Sequence, residues 1–338
     1  MNKADVVSFL YPYSFDFIGI SKAKTLPENP RVQNWINKGY HADMLYLEKN
    51  VDKRLCPESL LPGAKSMVVV GLNYYQPSCC LEKGHGRVSR YAWGRDYHKA
   101  LGNKLKAASI ALEQKFPGER FRWSVDATPL SERSYAVLSG LGFIGKNNLL
   151  IHKEYGSWFF LGEIITTLDL AEETQESIHK ECGECTLCLS SCPTKALVRP
   201  WEINAARCIS YLTIENKGPI PEELREKIGD CLFGCDICQI VCPYNKKVPA
   251  TKEPDFLHHK AGPGQSLEKI LQIPSEEEFI KIYAGSPLQR ARWHGLVRNA
   301  CVVAANIKSL DLIPLLQKKS QDPYPIIAEH ASWALKKF

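Results

Sequence analysis

No stretch of this chain reaches the roughly 18 uninterrupted apolar residues that a membrane-spanning helix requires, so no membrane span is expected. The start, Met1 to Asp5, is followed by no long apolar run. We therefore expect no secretory leader, a cytoplasmic location, and thiols kept reduced rather than paired in disulfides. Low-complexity tracts and an obvious short repeat across the whole chain are also missing. No G-x-G-x-x-G follows a predicted strand, which argues against a Rossmann dinucleotide site. Gly140, Gly142 and Gly145 have the spacing but follow a helical pattern.

What the chain does have is cysteine, 13 in 338 residues. Cys182, Cys185, Cys188 and Cys192 precede Pro193 in a C-x2-C-x2-C-x3-C-P run, and Cys235, Cys238 and Cys242 precede Pro243 in a second. The first pattern wraps a 4Fe–4S cluster, and in two-cluster ferredoxins the fourth cysteine of each run ligates the other cluster. Structural zinc, which takes four ligands per ion, would leave most of these sulfurs unexplained. The chain is expected to move electrons and to be oxygen-sensitive. Two clusters need eight thiolates and the runs supply seven. Leu232 stands where a ferredoxin would place the eighth, leaving Cys208 and Cys231 as candidates. Cys56, Cys79, Cys80 and Cys301 are scattered, with packing as their default role.

The length suggests two or three domains. Residues 1–170 alternate helical and strand-like patterns. Lys65 to Asn73 reads as a buried strand, His98 to Lys115 as a helix, Arg120 to Asp126 as a strand, Ser131 to Ser139 as a helix and Trp158 to Thr167 as a strand. This interleaving implies a mixed α/β or α+β domain, a central sheet covered by helices. Residues 171–250, opened by the acidic linker Glu172–Glu176, form the ferredoxin-like cluster domain, expected to depend on its inorganic core. Residues 251–338 are helical, with prolines at helix starts, and read either as HEAT-like repeats or as a plain helical cap.

The net charge of +6 is mild, so its distribution matters more. Lys281 to Lys308 carries Arg290, Arg292 and Arg298 with no acidic residue, and Trp293 and His294 are interleaved. Lys83 to Lys106 holds seven Lys or Arg against the single Asp96. Cations neutralise phosphates and rings stack on unpaired bases, so an RNA partner is worth carrying against the alternative of a solvated basic surface. The clusters also need an electron acceptor, such as a flavin, a corrinoid or a substrate, in the first domain. Asp96, His98 and Gly102 fit the D-x-H-x-x-G signature of cobalt-ligating histidines poorly, so His98 is not expected on cobalt.

Several segments together resemble the epoxyqueuosine reductases: Tyr91 to His98, Val125-Asp126 with Pro129-Leu130, Gly140 to Asn147, and Gly156 to Trp158 with Gly162-Glu163. Arg207 to Thr213 and Ile228 to Asp236 extend the resemblance along nearly the whole chain. It implies a corrinoid beside two 4Fe–4S clusters, as in reductive dehalogenases, and removal of the epoxide oxygen from epoxyqueuosine at the wobble position of tRNA. It favours Cys208 as the eighth ligand, giving one cluster Cys182, Cys185, Cys188 and Cys242 and the other Cys192, Cys208, Cys235 and Cys238. It implies Asp126 as the proton donor, a role that needs burial or a nearby negative charge to raise its carboxyl, which a neighbouring corrinoid and stacked base could supply. It also implies base-off cobalamin contacted by Arg54, Ser89, Asp126, Leu150, Leu161, Asn204, Ser210 and Asp236. Ser89 stands where some members have cysteine, Arg54 alternatively reads as a surface residue, and Asn204 as a cap. A low-potential electron donor and a monomeric state complete the expectation. A small-molecule dehalogenase and a non-catalytic electron carrier are the alternatives.

Overall fold

The structure is a computed structural model describing residues 3–78, 80–126, 128–170 and 181–338. The acidic linker Glu172–Glu176 and Cys79 lie outside the described residues. Its central element is a four-stranded sheet in the order Phe17–Lys22, Ser66–Asn73, Phe159–Thr166, Phe121–Ser124. Every pairing in it is antiparallel, so the mixed domain is of the α+β kind rather than a parallel α/β sheet. The apolar run from Met67 to Val70 predicts a strand covered on both sides, and all of Ser66–Asn73 is buried.

Alternation along the strands divides the core. Val68, Val70, Leu72, Phe160 and Ile164 meet Leu101, Leu105, Ala108 and Leu112 of the helix Tyr97–Lys115. Met67, Val69, Phe159 and Ile165 meet Leu130 and the helix Glu132–Leu138 through Tyr135 and Ala136. Each Val, Leu, Ile, Phe or Met among these contributes about 1.5–3 kcal/mol by leaving water. Asp96 starts the long helix, its carboxylate accepting from the His98 N–H at 3.0 Å.

A second core contains Val88, Leu212, Phe233, Leu271, Val297 and Trp333, so residues after 250 share their apolar interior with the segment carrying the second cysteine run. The helix Arg292–Asn306 runs buried through this core, and Ile313–Lys319 and Pro325–Leu335 pack beside it. A three-stranded sheet ties the same core to the first half of the chain, with Cys231–Phe233 and Gly264–Ser266 flanking His85–Val88. Among the described residues, no helix is long and apolar enough to cross a membrane.

Candidate active site and cluster cradle

Asp126 lies in the turn between the strand Phe121–Ser124 and the helix Glu132–Leu138. The strand stops two residues short of it. Instead of joining the sheet, the Asp126 N–H donates to Glu132 Oε1 at 2.8 Å. Asp126 has a φ of 54°, a left-handed conformation that aspartate tolerates better than most residues. Its side chain is 59% exposed, so it faces open space rather than the core.

The start of the long helix meets this carboxylate. Tyr97 Oη donates to Asp126 Oδ2 at 2.6 Å, and its ring stacks on Phe160 with centroids 4.2 Å apart. His98 Nε2 stands 3.5 Å from the same oxygen, while its Nδ1 is 2.8 Å from Asp96 Oδ1. The hydrogen bond to Asp126, joined by Asp96, raises His98 to about 9. The His98 hydrogen bond holds Asp126 below the ordinary carboxylate range, against the opposing effect of burial. In this arrangement the proton resides on the ring and the carboxylate is ionised, the reverse of the raised carboxyl that a directly proton-donating aspartate needs. Burial and the neighbouring carboxylate push the Tyr97 phenol upward.

Arg290 borders the same space. Its guanidinium binds Glu215 through two nitrogens at 2.7 and 2.9 Å and stays 58% exposed. Its charge acts on both Asp126 and Tyr46, and the exposed Tyr46 ring supplies an aromatic surface there. Arg292 is also exposed, 4.0 Å from Glu276. Arg298 is not at the surface. It is 0% exposed, and its guanidinium donates to the carbonyls of Leu212, Asn216 and Gly218 and to Asn299 Oδ1. The expectation that it grips RNA is corrected: its charge is spent inside, holding backbone. The earlier basic segment is largely paired too, Arg87 with Asp230, Arg95 with Asp255 and Lys104 with Glu253.

Of the residues expected around a corrinoid, Arg54 has a buried Nε with no hydrogen-bond partner, an orphaned donor that suits a polar ligand. Leu161 and Ser210 are partly buried. Asn204 does cap a turn, its Oδ1 accepting from the Ala206 N–H at 3.1 Å. Leu150 is buried. Ser89 and Asp236 are buried and bonded to each other, and Asp236 also accepts from the Arg90 N–H at 2.9 Å. Gly234 permits this closeness, since a Cβ there would stand 2.5 Å from the Ser89 Cβ.

Cys182, Cys185, Cys188 and Cys242 line one cavity with Lys146 and Tyr244. Burial raises the Cys208 thiol to about 11, with Cys235 and Cys192 adding to the rise. Cys238 is raised by burial and then by Cys235 and Cys208. The thiols thus fall into two sets drawn from both runs. Cys231 is buried against Cys235, whereas Cys208 faces thiols of each run. No group of three His, Cys, Asp or Glu among the described residues is placed to hold a single metal ion. The donor set suits a soft cluster with sulfur ligands. Backbone N–H groups of Lys146 and Ala196 reach Cys182 and Cys192 sulfurs at 3.4 and 3.3 Å, contacts of the kind that tune cluster potential.

A family model described as a 4Fe-4S double cluster binding domain matches residues 181–245, and one described as Epoxyqueuosine reductase QueG, DUF1730, matches residues 54–127. Epoxyqueuosine reductase of Escherichia coli (strain K12) is 36% identical over 326 residues, covering 95% of this chain and 85% of its own. That of Pseudomonas aeruginosa is 38% identical over 332 residues, covering 96% and 91%. The chain belongs to the epoxyqueuosine reductase family.

Solved structures of epoxyqueuosine reductases agree. A crystal structure of one with an epoxyqueuosine-modified tRNA-Tyr stem loop matches with a TM-score of 0.91 at 34% identity, covering 99% of this chain and 89% of that one. The Bacillus subtilis epoxyqueuosine reductase, with an aspartate-bearing catalytic loop swung out of its active site, matches at 0.87 with 34% identity, covering 99% and 90%. Sequence reasoning missed Tyr97, His98 and Tyr46 as neighbours of Asp126. The one available signal was Asp96 as a helix cap, which places two ring-bearing residues in the first helical turn. It also missed Glu132, which carries no motif of its own, and gave Glu163 no role although Gly162-Glu163 is among the segments that carry the resemblance.

Proposed function

We propose that this chain reduces the epoxide of epoxyqueuosine in tRNA to the alkene of queuosine, with Asp126 at the reacting ring. The overall change takes two electrons and two protons, and the oxygen leaves as water. The observation that carries this reading is the Tyr97–Asp126–His98 arrangement, which opens toward Arg290 and Tyr46 in a chain that also holds two sets of four thiols. A 4Fe–4S cluster on Cys182, Cys185, Cys188 and Cys242 and another on Cys192, Cys208, Cys235 and Cys238 would carry electrons inward one at a time. Cobalamin, bound base-off, would supply low-valent cobalt as the reductant at the epoxide. Arg54, Leu161, Asn204 and Ser210 would touch it, while Leu150 and the bonded pair Ser89 and Asp236 would form the wall behind.

The chain's own residues manage protons and position. A proton on His98 Nε2 lies within reach of Asp126 Oδ2, and the Tyr97 hydroxyl donates to that same oxygen. Asp126 thereby connects the departing oxygen to a filled proton store, the role of a general acid. Arg290 and Arg292 would meet phosphates and Tyr46 would stack on an unpaired base. We assign residues 1–170 to the corrinoid and substrate, 171–250 to the clusters and 251–338 to a HEAT-like RNA support. A tRNA substrate and reduced thiols support a cytoplasmic location, and the protein would act as a monomer with a low-potential donor. Anaerobic incubation with iron, sulfide, cobalamin, a reductant and tRNA containing epoxyqueuosine tests the reading. Nucleoside mass spectrometry should show loss of one oxygen only with cobalamin present. No conversion by fully loaded protein would overturn it.

A further inference from the structure

Beneath Asp126 lies a buried acid that the reaction does not use. Glu163 sits in the middle of the strand Phe159–Thr166 and is 0% exposed. Alternation puts it on the same face as Phe159 and Ile165, the face covered by the helix Glu132–Leu138. Its strand neighbours at that register are Val69 on one side and Ser124 on the other. A carboxylate there loses its hydration with no cation to compensate. Neither oxygen has a hydrogen-bond partner as an ionised group, and the Ser124 hydroxyl beside it is also unpartnered.

The group facing Glu163 is another carboxyl, that of Glu132, at the first position of the covering helix. Two carboxyls in contact are stable when one proton lies between them, because one then donates to the other. Burial raises Glu132 to about 7, with the Asp126 charge adding to the rise, and burial and Glu132 raise Glu163 as well. The charged groups acting on the pair are Asp126 and, for Glu132, Arg133. Arg133 is turned to the Asn148 carbonyl. The strand Ser66–Asn73 brings no titratable side chain.

The other oxygen contact of Glu132 is the backbone of the active-site turn, through the Asp126 N–H at 2.8 Å. We propose that Glu132 and Glu163 share one proton and act together as a positioning latch, holding Asp126 in its left-handed turn through the Asp126 backbone N–H. With one proton present, Glu132 is steadied from below and accepts from the turn above. With none, the buried Glu163 carboxylate and the partly buried Glu132 carboxylate repel each other, with the exposed Asp126 charge adding to the repulsion, and the turn releases. The catalytic loop found swung out in the Bacillus subtilis enzyme is the kind of movement such a latch would govern.

The inference rests on Asp126 acting at the substrate, so its test reads the turn separately from turnover. Hydrogen exchange, corrected for intrinsic rates, is followed by mass spectrometry on the peptide spanning residues 121–131 of the cluster- and cobalamin-loaded protein. Wild-type protection should fall as pH rises past about 7. Glu132→Ala should speed exchange there and slow single-turnover reduction by about tenfold, the value of one hydrogen bond, with tRNA affinity unchanged. Glu132→Gln, whose amide oxygen still accepts, should restore much of both and remove the pH dependence. Glu163→Gln gives Glu132 a permanent donor and should extend protection to higher pH. Exchange that is pH-independent in the wild type and unmoved by Glu132→Ala would overturn the latch. So would a Glu132→Gln variant as impaired as Glu132→Ala with both clusters intact. Asp126→Asn keeps the backbone N–H: if that variant stays active while Glu132→Ala still loosens the turn, the latch stands and the acid role of Asp126 falls.

Discussion

His98 and Asp126 hold each other in opposite charge states, with ring Nε2 3.5 Å from carboxylate Oδ2 and the far side of the ring fixed on Asp96 at 2.8 Å. The pair keeps a proton beside Asp126 without a buried acid there.

The first prediction concerns pH. Because His98 is raised to about 9, single-turnover reduction at saturating tRNA should lose this proton source as pH rises through about 9. The same sign applies to stability. The His98 contribution is full below its ordinary value near 6.5 and is lost as pH rises through about 9. His98→Gln should lower the rate by about tenfold or more and remove the alkaline limb, with cluster absorbance unchanged. An unaltered limb in that variant would assign it elsewhere.

A second prediction separates two arginines that look alike in sequence. Arg290→Glu should weaken tRNA binding and flatten its dependence on salt, with thermal stability close to wild type. Arg298→Ala should do the reverse. It leaves the Leu212, Asn216 and Gly218 carbonyls without their donor and should cost about 2–4 kcal/mol in denaturant unfolding. Equal effects of the two on tRNA affinity at low temperature would contradict this division.

A third prediction fixes the eighth ligand. Cys208→Ser should lose or weaken one cluster, removing up to about four irons per chain with a matching loss in the reduced paramagnetic resonance signal. Cys231→Ser should keep both clusters. The opposite result would move the ligand to Cys231, which also adjoins Cys235.

A fourth concerns the buried acid. Carboxyls raised by folding bind more protons folded than unfolded, so their destabilising effect grows as pH rises through the ordinary value near 4.5 toward the folded one. Glu163→Gln should therefore raise the urea midpoint more at pH 8 than at pH 5. A uniform change at both would show that Glu163 is charged throughout.

The sequence revealed most where chemistry is written along the chain. Cysteine spacing is local, so both thiol sets were legible apart from Cys208, which comes from a separate turn after Asn204. The strands at 66–73 and 159–166 were visible as apolar runs, but their antiparallel order depends on contacts distant in sequence. Glu163 lies in a segment that carries the family resemblance, but the sequence assigns it no role, and only its pairing with Ser124 and its burial bring out its chemistry. Arg298 misled because a charge usually marks a wet face. Here nearly every residue of its helix from Trp293 to Ala305 is buried, which leaves Arg298 no wet face to mark. His98 lies 28 residues from Asp126, beyond any local pattern.

Arg298 and Asn299 fasten the last third of the chain to two particular places. Arg298 holds the Leu212 carbonyl, in the helix that follows Cys208, and Asn299 holds the carbonyls of Thr213 and of Leu232, just before Cys235. Those anchor points adjoin Cys208 and Cys235, two of the thiols proposed above to hold a 4Fe–4S cluster. Oxidative loss of that iron would slacken the scaffold behind Arg290 as well as cutting the wire to the substrate. A damaged molecule would then let go of its RNA rather than sit on it.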